Sequence, residues 1–194
     1  MSTAILLSGG IDSTALTFWK RPDYVITIDY GQAPAETELR VSKHIAAALG
    51  ISHKVVRTDT RDLGTGLLSN TDQLACAPTP EWWPFRNQFL VTTAAMVAVK
   101  LGVAELSIGT VKADTLHADG TPKFVDLLNQ LVSIQEGSLQ ISAPAHSLTT
   151  AELVKESKIP LSLLAWTHSC HTGNLACGRC RGCLKQIEII ELFG

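Results

Sequence analysis

The strongest constraint in this chain is its first fourteen residues. Thr3-Ala4-Ile5-Leu6-Leu7 is a short apolar run that stops at Ser8-Gly9-Gly10, and Asp12-Ser13-Thr14 opens a helical stretch from Ala15 to Lys20. A buried strand halted by two glycines and followed at once by a helix is the opening of a parallel α/β sheet. The two glycines let backbone N–H groups approach an anion closely, and the helix N-terminus adds partial positive charge. Ser8, Ser13 and Thr14 offer hydroxyl donors. Asp12 would repel phosphate unless it binds Mg²⁺ or orients the loop. No Gly-Lys-Ser/Thr follows, so this is not the Walker A type of phosphate loop.

The rest of the chain continues the alternation. Tyr24–Asp29, His53–Arg57, Glu105–Gly109 and Gln140–Ser142 read as strands. Thr37–Leu49, Asn87–Leu101, Pro122–Val132 and Thr149–Lys158 read as helices, the last opened by the capping pattern Thr149-Thr150-Ala151-Glu152. Residues 61–84 lack a period and read as a long loop, functional or mobile. Alternating strands and helices predict a five-stranded parallel sheet covered on both faces, with ligands bound beyond the strands' carboxyl ends. Those ends carry Ser8-Gly9-Gly10, Asp29-Tyr30-Gly31 and Gly109.

With 194 residues, 45% of them hydrophobic and 18% charged, the chain suits one globular domain and excludes a disordered or disulfide-stapled one. A formal charge of −2 gives no global basic field, so direct nucleic-acid binding is not expected. The longest apolar run, 89–99, is too short to span a membrane, and the N-terminus lacks a basic leader. The expected location is cytoplasmic.

Four of the five cysteines, Cys170, Cys177, Cys180 and Cys183, lie within fourteen residues. In a reducing compartment this cluster reads as a metal site, and four thiolates suit tetrahedral Zn²⁺. With no open position the ion would be structural. Four thiolates alone leave an iron–sulfur cluster as an alternative. His168 and His171 flank the first cysteine and read as substrate-side or supporting groups. The expected organisation is an ATP-binding domain over residues 1–160 and a zinc-binding segment over 161–194 packed on it.

Ser-Gly-Gly-x-Asp-Ser-Thr after a first strand resembles the PP-loop of the ATP pyrophosphatase superfamily, whose fold is Rossmann-like (HUP-type). Trp166-Thr167-His168-Ser169-Cys170-His171-Thr172-Gly173 with Cys177-Gly178-Arg179-Cys180-Arg181-Gly182-Cys183 resembles the C-terminal zinc motif of the QueC-like 7-cyano-7-deazaguanine synthases. Asp29-Tyr30-Gly31-Gln32, Pro84-x-Arg86-Asn87, Ile108-Gly109 and Ser147-Leu148-Thr149-x-Ala151-Glu152-Leu153 follow in that family's order. The resemblance implies an ATP- and Mg²⁺-dependent enzyme that adenylates the carboxylate of 7-carboxy-7-deazaguanine. Ammonia then gives an amide, and a second activation gives the nitrile. It implies that Ser8, Gly9, Gly10, Asp12, Ser13 and Thr14 hold phosphates and Mg²⁺, and that Asp29, Tyr30 and Gly109 lie near the nucleotide. Asp12, Arg86, Asn87 and Asp119 would serve the reaction, with Trp82 and Trp83 available to cover a planar base. It also implies a homodimer.

Several positions depart from the family pattern. Ala33-Pro34 stand for Arg-His, His117–Pro122 stand for Tyr-Pro-Asp-Cys-Arg-Pro, and Thr150 stands where a lysine is common. Lys112 and Lys123 are the candidates to replace lost positive charge. Because QueC-like proteins also occur in antiphage (CBASS) systems, the acceptor amine could belong to a protein from the same operon. A tRNA-thiolating enzyme using Cys76 and a catalytically inactive nucleotide-binding module are the competing readings.

Overall fold

A computed structural model describes residues 1–194. Five parallel strands form one sheet: β1 (Thr3–Leu6), β2 (Tyr24–Asp29), β3 (Ser52–Arg57), β4 (Glu105–Ser107) and β5 (Gln140–Ser142), in the order β3-β2-β1-β4-β5. The longer helices are α1 (Ile11–Lys20), α2 (Ala35–Leu49), α3 (Arg86–Lys100), α4 (Pro122–Ser133) and α5 (Thr150–Ser157). A single turn α6 (Leu161–Leu164) and a terminal helix α7 (Arg181–Phe193) complete the set. The α/β class, the five parallel strands and the helices on both faces are as the sequence alternation predicts.

Because strand side chains alternate, neighbouring residues of β1 feed different layers. Ala4, with Ile26, Ile28 and Leu106, packs under α3 and α4 against Val91, Ala94 and Leu128. Ile5 points to the other face, against Ile11 and Leu16 of α1, Leu153 of α5, Leu164 of α6 and Ile189 of α7. Leu7 and Val25 meet Val41 and Ile45 of α2 on that same face. The terminal helix thus shares a core with the first strand.

Three local readings are corrected. Helix α1 begins at Ile11, so Asp12, Ser13 and Thr14 form its first turn instead of capping it; the cap is Gly10, which has no side chain to offer. The loop 61–84 contains two short 3₁₀ turns, Arg61–Leu63 and Gly66–Leu68. Helix α7 was not anticipated, because its sequence runs straight out of the cysteine motif. Its N-cap is Cys180 itself, whose sulfur accepts the Cys183 N–H. No helix is long and apolar enough to cross a membrane.

Strand order reverses at β1: β2 and β3 lie on one side of it, β4 and β5 on the other. A cleft opens at such a switch point, beyond the carboxyl ends of the two diverging strands. Here those ends deliver Ser8–Gly10 from β1 and Ile108-Gly109 from β4.

Candidate active site: a cleft between the glycine loop and the cysteine segment

The cleft has a volume of about 270 Å³ and is lined at its floor by Ser8, Gly10, Asp12, Ser13 and Gly109. Its loop is held by short local bonds. The Ser13 hydroxyl donates to the Gly10 carbonyl at 3.1 Å and lies 3.1 Å from the Ser8 hydroxyl. The N–H groups of Asp12 and Ser13 have no acceptor within the protein, as expected of the first turn of a helix. Gly9 adopts φ +78° behind the loop, and a Cβ there would meet Val41 Cγ1 at 3.0 Å. Gly109 lies so close to the helix that a Cβ would approach Ser13 Cα at 3.1 Å.

Two of the residues expected at the phosphates do not line the cleft. Gly9 does not line the cleft, and Thr14 is fully buried with its hydroxyl unpartnered. Asp29 also lies outside: its carboxylate accepts the Gly31 N–H at 3.1 Å, and it borders a separate, wider pocket with Arg57 and Arg61. Tyr30 does line the cleft, packed edge-on to Trp83 with ring centroids 5.0 Å apart. Trp83 is core and Trp82 is also away from the cleft, so neither indole faces it.

The opposite wall comes from the start of α3 and the turn before α4. Arg86, Asn87 and Asp119 all line it. Asp119 binds Asn87 twice over: its carboxylate accepts the Asn87 N–H at 3.1 Å, and its carbonyl accepts the Asn87 side-chain amide at 2.9 Å. Asp119 therefore anchors the first turn of α3, which turns Arg86 into the cleft. Burial pushes the Glu38 carboxyl up to about 7, against the opposing pull of the Gln32 hydrogen bond at 2.8 Å and the Arg86 charge. Burial also raises the Tyr30 hydroxyl. Glu38 lines the cleft too, and the sequence pattern around it carried no sign of that.

Asp12 is the pivot of the site. Thr150 donates to its Oδ1 at 2.7 Å, and Lys185 of α7 reaches its Oδ2 at 2.5 Å. Burial works against the Lys185 ammonium, but the Asp12 carboxylate more than offsets it, with Asp114 adding to the pull, and the group is held more strongly protonated than usual. Lys112 and Lys123 are exposed and do not line the cleft. Lys185 was missed because no motif or period marks it.

The cysteine segment is seated directly on the loop. The His168 N–H donates to the Gly9 carbonyl at 2.9 Å, and the Ser169 hydroxyl accepts the Ile11 N–H at 3.3 Å. Gln186 of α7 clamps the same stretch, accepting from Ser169 N–H and donating to the Thr167 carbonyl. His171 lines the cleft; burial lowers its imidazole to about 4, and its Nδ1 has no partner.

The sulfurs of Cys170, Cys177, Cys180 and Cys183 all lie within 4.8 Å of one another. The Cys177–Cys183 separation of 3.9 Å matches the edge of a tetrahedron with Zn–S bonds of ~2.3 Å. Backbone N–H groups point at the sulfurs, from Cys180 to Cys177 at 3.3 Å and from His171 to Cys180 at 3.4 Å. The Arg179 N–H foremost brings the Cys177 thiol down to about 5, while burial pushes Cys183 up to about 12. A dication at the centre favours the thiolate at all four positions. Cys76 is exposed, and lines no part of the cleft.

The sheet order, the glycine loop at its switch point and the cysteine segment beside it define an α/β protein of the adenine nucleotide alpha-hydrolase-like fold. Among solved structures, NMN synthetase from Francisella tularensis superposes with a TM-score of 0.52 at 14% identity, over 98% of this chain and 76% of that one. That likeness concerns the fold. The model of the family described as queuosine biosynthesis protein QueC matches residues 2–191, and the chain belongs to the QueC family. Its relatives include the 7-cyano-7-deazaguanine synthase of Methanocaldococcus jannaschii, 29% identical over 100% of this chain and 96% of the relative. The enzyme of that name from Pelobacter propionicus is 30% identical over 95% and 90%. The first alignment spans 225 positions against 194 residues, so this chain carries deletions relative to that protein.

Proposed function

We propose that this protein uses MgATP to adenylate the carboxylate of 7-carboxy-7-deazaguanine, and that an amine displaces the AMP. Ammonia as the amine gives the amide, and a second round of activation gives the nitrile. The observation that carries this reading is the single cleft in which the glycine loop, Arg86 and Asn87, and the His168–Lys185 stretch converge. The naming of the relatives as 7-cyano-7-deazaguanine synthases supplies the substrate class.

The chemistry is that of a leaving group. Carboxylate oxygen departs poorly and AMP departs well. The protein's task is to hold two anions in line and to offset charge that develops on phosphate. The free N–H groups of Asp12 and Ser13 and the Ser8 and Ser13 hydroxyls serve the phosphates. Asp12 and Asp114 are the carboxylates at that end of the cleft; Asp12 already meets Thr150 and Lys185, so Mg²⁺, which supplies further neutralisation when bound, would share Asp12 with Lys185. Arg86 is placed for the substrate carboxylate, and Asn87 for the base or the acyl oxygen. The four thiolates would hold one structural Zn²⁺, which leaves no open position for chemistry. On this reading residues 1–160 are the ATP-binding domain and 161–194 the zinc-binding segment that closes one wall of its site. The apolar strip Leu127, Leu131 and Ile134, exposed on and just after α4, supports a homodimer.

The departures at Ala33-Pro34 and His117–Pro122 favour a second reading within the same chemistry. In it the acceptor is an amine of a protein encoded beside this one, as in CBASS-type defence. Zinc-loaded protein with MgATP and 7-carboxy-7-deazaguanine, with and without ammonium, separates the two. Mass spectrometry would follow the base, the nucleotide and the intact protein. The nitrile with AMP and pyrophosphate is the expected result. Base-dependent AMP release without nitrile would move the acceptor to a protein amine. No base-dependent ATP turnover would remove both readings.

A further inference from the structure

We propose that Lys185 is the phosphate-binding cation of this protein, and that the cysteine segment exists in part to carry it. The inference rests on the ATP site proposed above and deepens it.

The charges around the cleft set the problem. Four carboxylates line it, Asp12, Glu38, Asp114 and Asp119, against two permanent cations, Arg86 and Lys185. Even with both cations counted the lining carries excess negative charge, so a polyphosphate needs a cation standing at the loop itself, beside any Mg²⁺ it brings. Arg86 stands across the cleft at the start of α3, and its charge bears on Tyr30 and Glu38 and also on Asp114 and His171. Lys185 is the cation at the loop itself, with Nζ 2.5 Å from Asp12 Oδ2. Its ammonium has three N–H donors, and the Asp12 carboxylate is the one protein acceptor it meets. Two donors therefore remain beside the free N–H groups of Asp12 and Ser13. The pairing also neutralises the one acidic side chain in the loop, so the loop amides face phosphate without an opposing charge. Thr150 completes the arrangement by holding the other Asp12 oxygen at 2.7 Å.

What delivers Lys185 is the cysteine motif. Cys180 caps α7 and Cys183 lies in its first turn, two residues before Lys185. Gly182 lets that turn press on the loop before it, where a Cβ would fall 1.7 Å from the Ser169 carbonyl oxygen. Ser169 in turn accepts from Ile11 at the start of α1. Ordering the four thiolates thus fixes the start of α7, and the start of α7 fixes the ammonium over the loop.

The test compares the wild type with Lys185→Gln in binding MgATP and adenosine by calorimetry, with zinc content measured for both. A phosphate contact predicts a loss of roughly 10- to 100-fold for MgATP, the range of a charge-assisted hydrogen bond. It predicts adenosine affinity within about twofold of wild type, because adenosine carries no phosphate. Lys185→Arg should retain most of the MgATP affinity. If the variant loses its zinc or fails to fold, acylation footprinting of the wild-type lysines replaces it. MgATP should then protect Lys185 and adenosine should not. MgATP affinity unchanged in Lys185→Gln, equal losses for the two ligands, or equal protection by them would overturn the inference. A wild type that binds no MgATP would instead overturn the ATP reading, and this inference with it.

Discussion

The glycine loop and the cysteine segment are both short, polar and glycine-rich, yet they use their backbone N–H groups in opposite ways. In the loop, Asp12 and Ser13 leave theirs unpaired in the lining of a cleft. In the segment, Cys180, Cys183 and His171 turn theirs inward onto sulfur. The loop takes its shape from the strand before it and the helix after it, so it can keep donors free. The segment between Thr167 and Arg181 has no regular element of its own, and its donors are spent on sulfur and on its two neighbours, the Gly9 carbonyl and Gln186 of α7. One region is built to receive a ligand, the other to be finished by an ion. Their contact, through His168, Ser169 and Lys185, makes the second a part of the first.

The sharpest way to break this pairing is to remove a sulfur. Cys183→Ser should reduce zinc below one per chain and destabilise the protein by several kcal/mol, on the order of 5, since structural zinc is coupled to folding. If the two regions are one site, MgATP affinity falls with the zinc; atomic absorption, calorimetric melting and nucleotide titration on the same samples would read this. A melting loss with unchanged MgATP affinity would separate the regions again.

Gly182→Ala attacks the contact and leaves the ligands in place. The added carbon would sit 1.7 Å from the Ser169 carbonyl oxygen, so backbone must move. A destabilisation of about 1–3 kcal/mol is expected, with zinc retained and the KM for ATP raised. Chemical denaturation together with steady-state kinetics would check both halves.

Glu38 tests the cleft apart from the cysteine segment. Its carboxyl is raised to about 7 by burial, from an ordinary value near 4.5. Between those values the folded state holds more protons than the unfolded one. The Glu38 contribution to stability is therefore fully present at low pH and is lost as pH rises toward and past about 7. Glu38→Gln removes this dependence. Its stability relative to wild type should improve between pH 5 and pH 8, by an amount on the order of 1–2 kcal/mol, read from denaturation midpoints across that range.

Cys76→Ser is the smallest expected effect. The thiol is exposed and belongs to neither region. Stability should stay within about 0.5 kcal/mol and turnover should be unchanged. Loss of turnover would revive a chemistry based on a reactive thiol.

Much of the fold was legible because its signals are local. The strand–glycine–helix opening, the capping pattern at Thr149 and the apolar strand runs each carry their own period or cap, and the elements fall within a few residues of their expected limits. Helix α7 was hidden because its first turn is also the end of a metal motif. Its apolar positions pack on Ile5 and Ile11, nearly the whole chain length away in sequence. The site was legible in part for a related reason. Ser8, Gly10, Asp12, Ser13, Arg86, Asn87 and Asp119 reach the cleft by short paths from recognisable motifs. Thr14 and Asp29 belong to the same motifs but turn away, because helix phase and strand pleat decide the direction of each side chain. The two tryptophans of the loop did the same for another reason: Trp83 is worth more against Tyr30 in the core than over an open cleft.

By itself the sequence determined the alternation of strands and helices, the phosphate-type loop and the four-thiolate cluster, because each is written in residues that are neighbours along the chain. Only the tertiary structure decided that the loop and the cluster are one site, that Asp12 is clamped between Thr150 and Lys185, and that Glu38 shares the cleft. Those contacts join residues up to 173 positions apart. No local pattern encodes them; they exist because β1 and α7 bury apolar side chains in the same core and so bring their polar ends together.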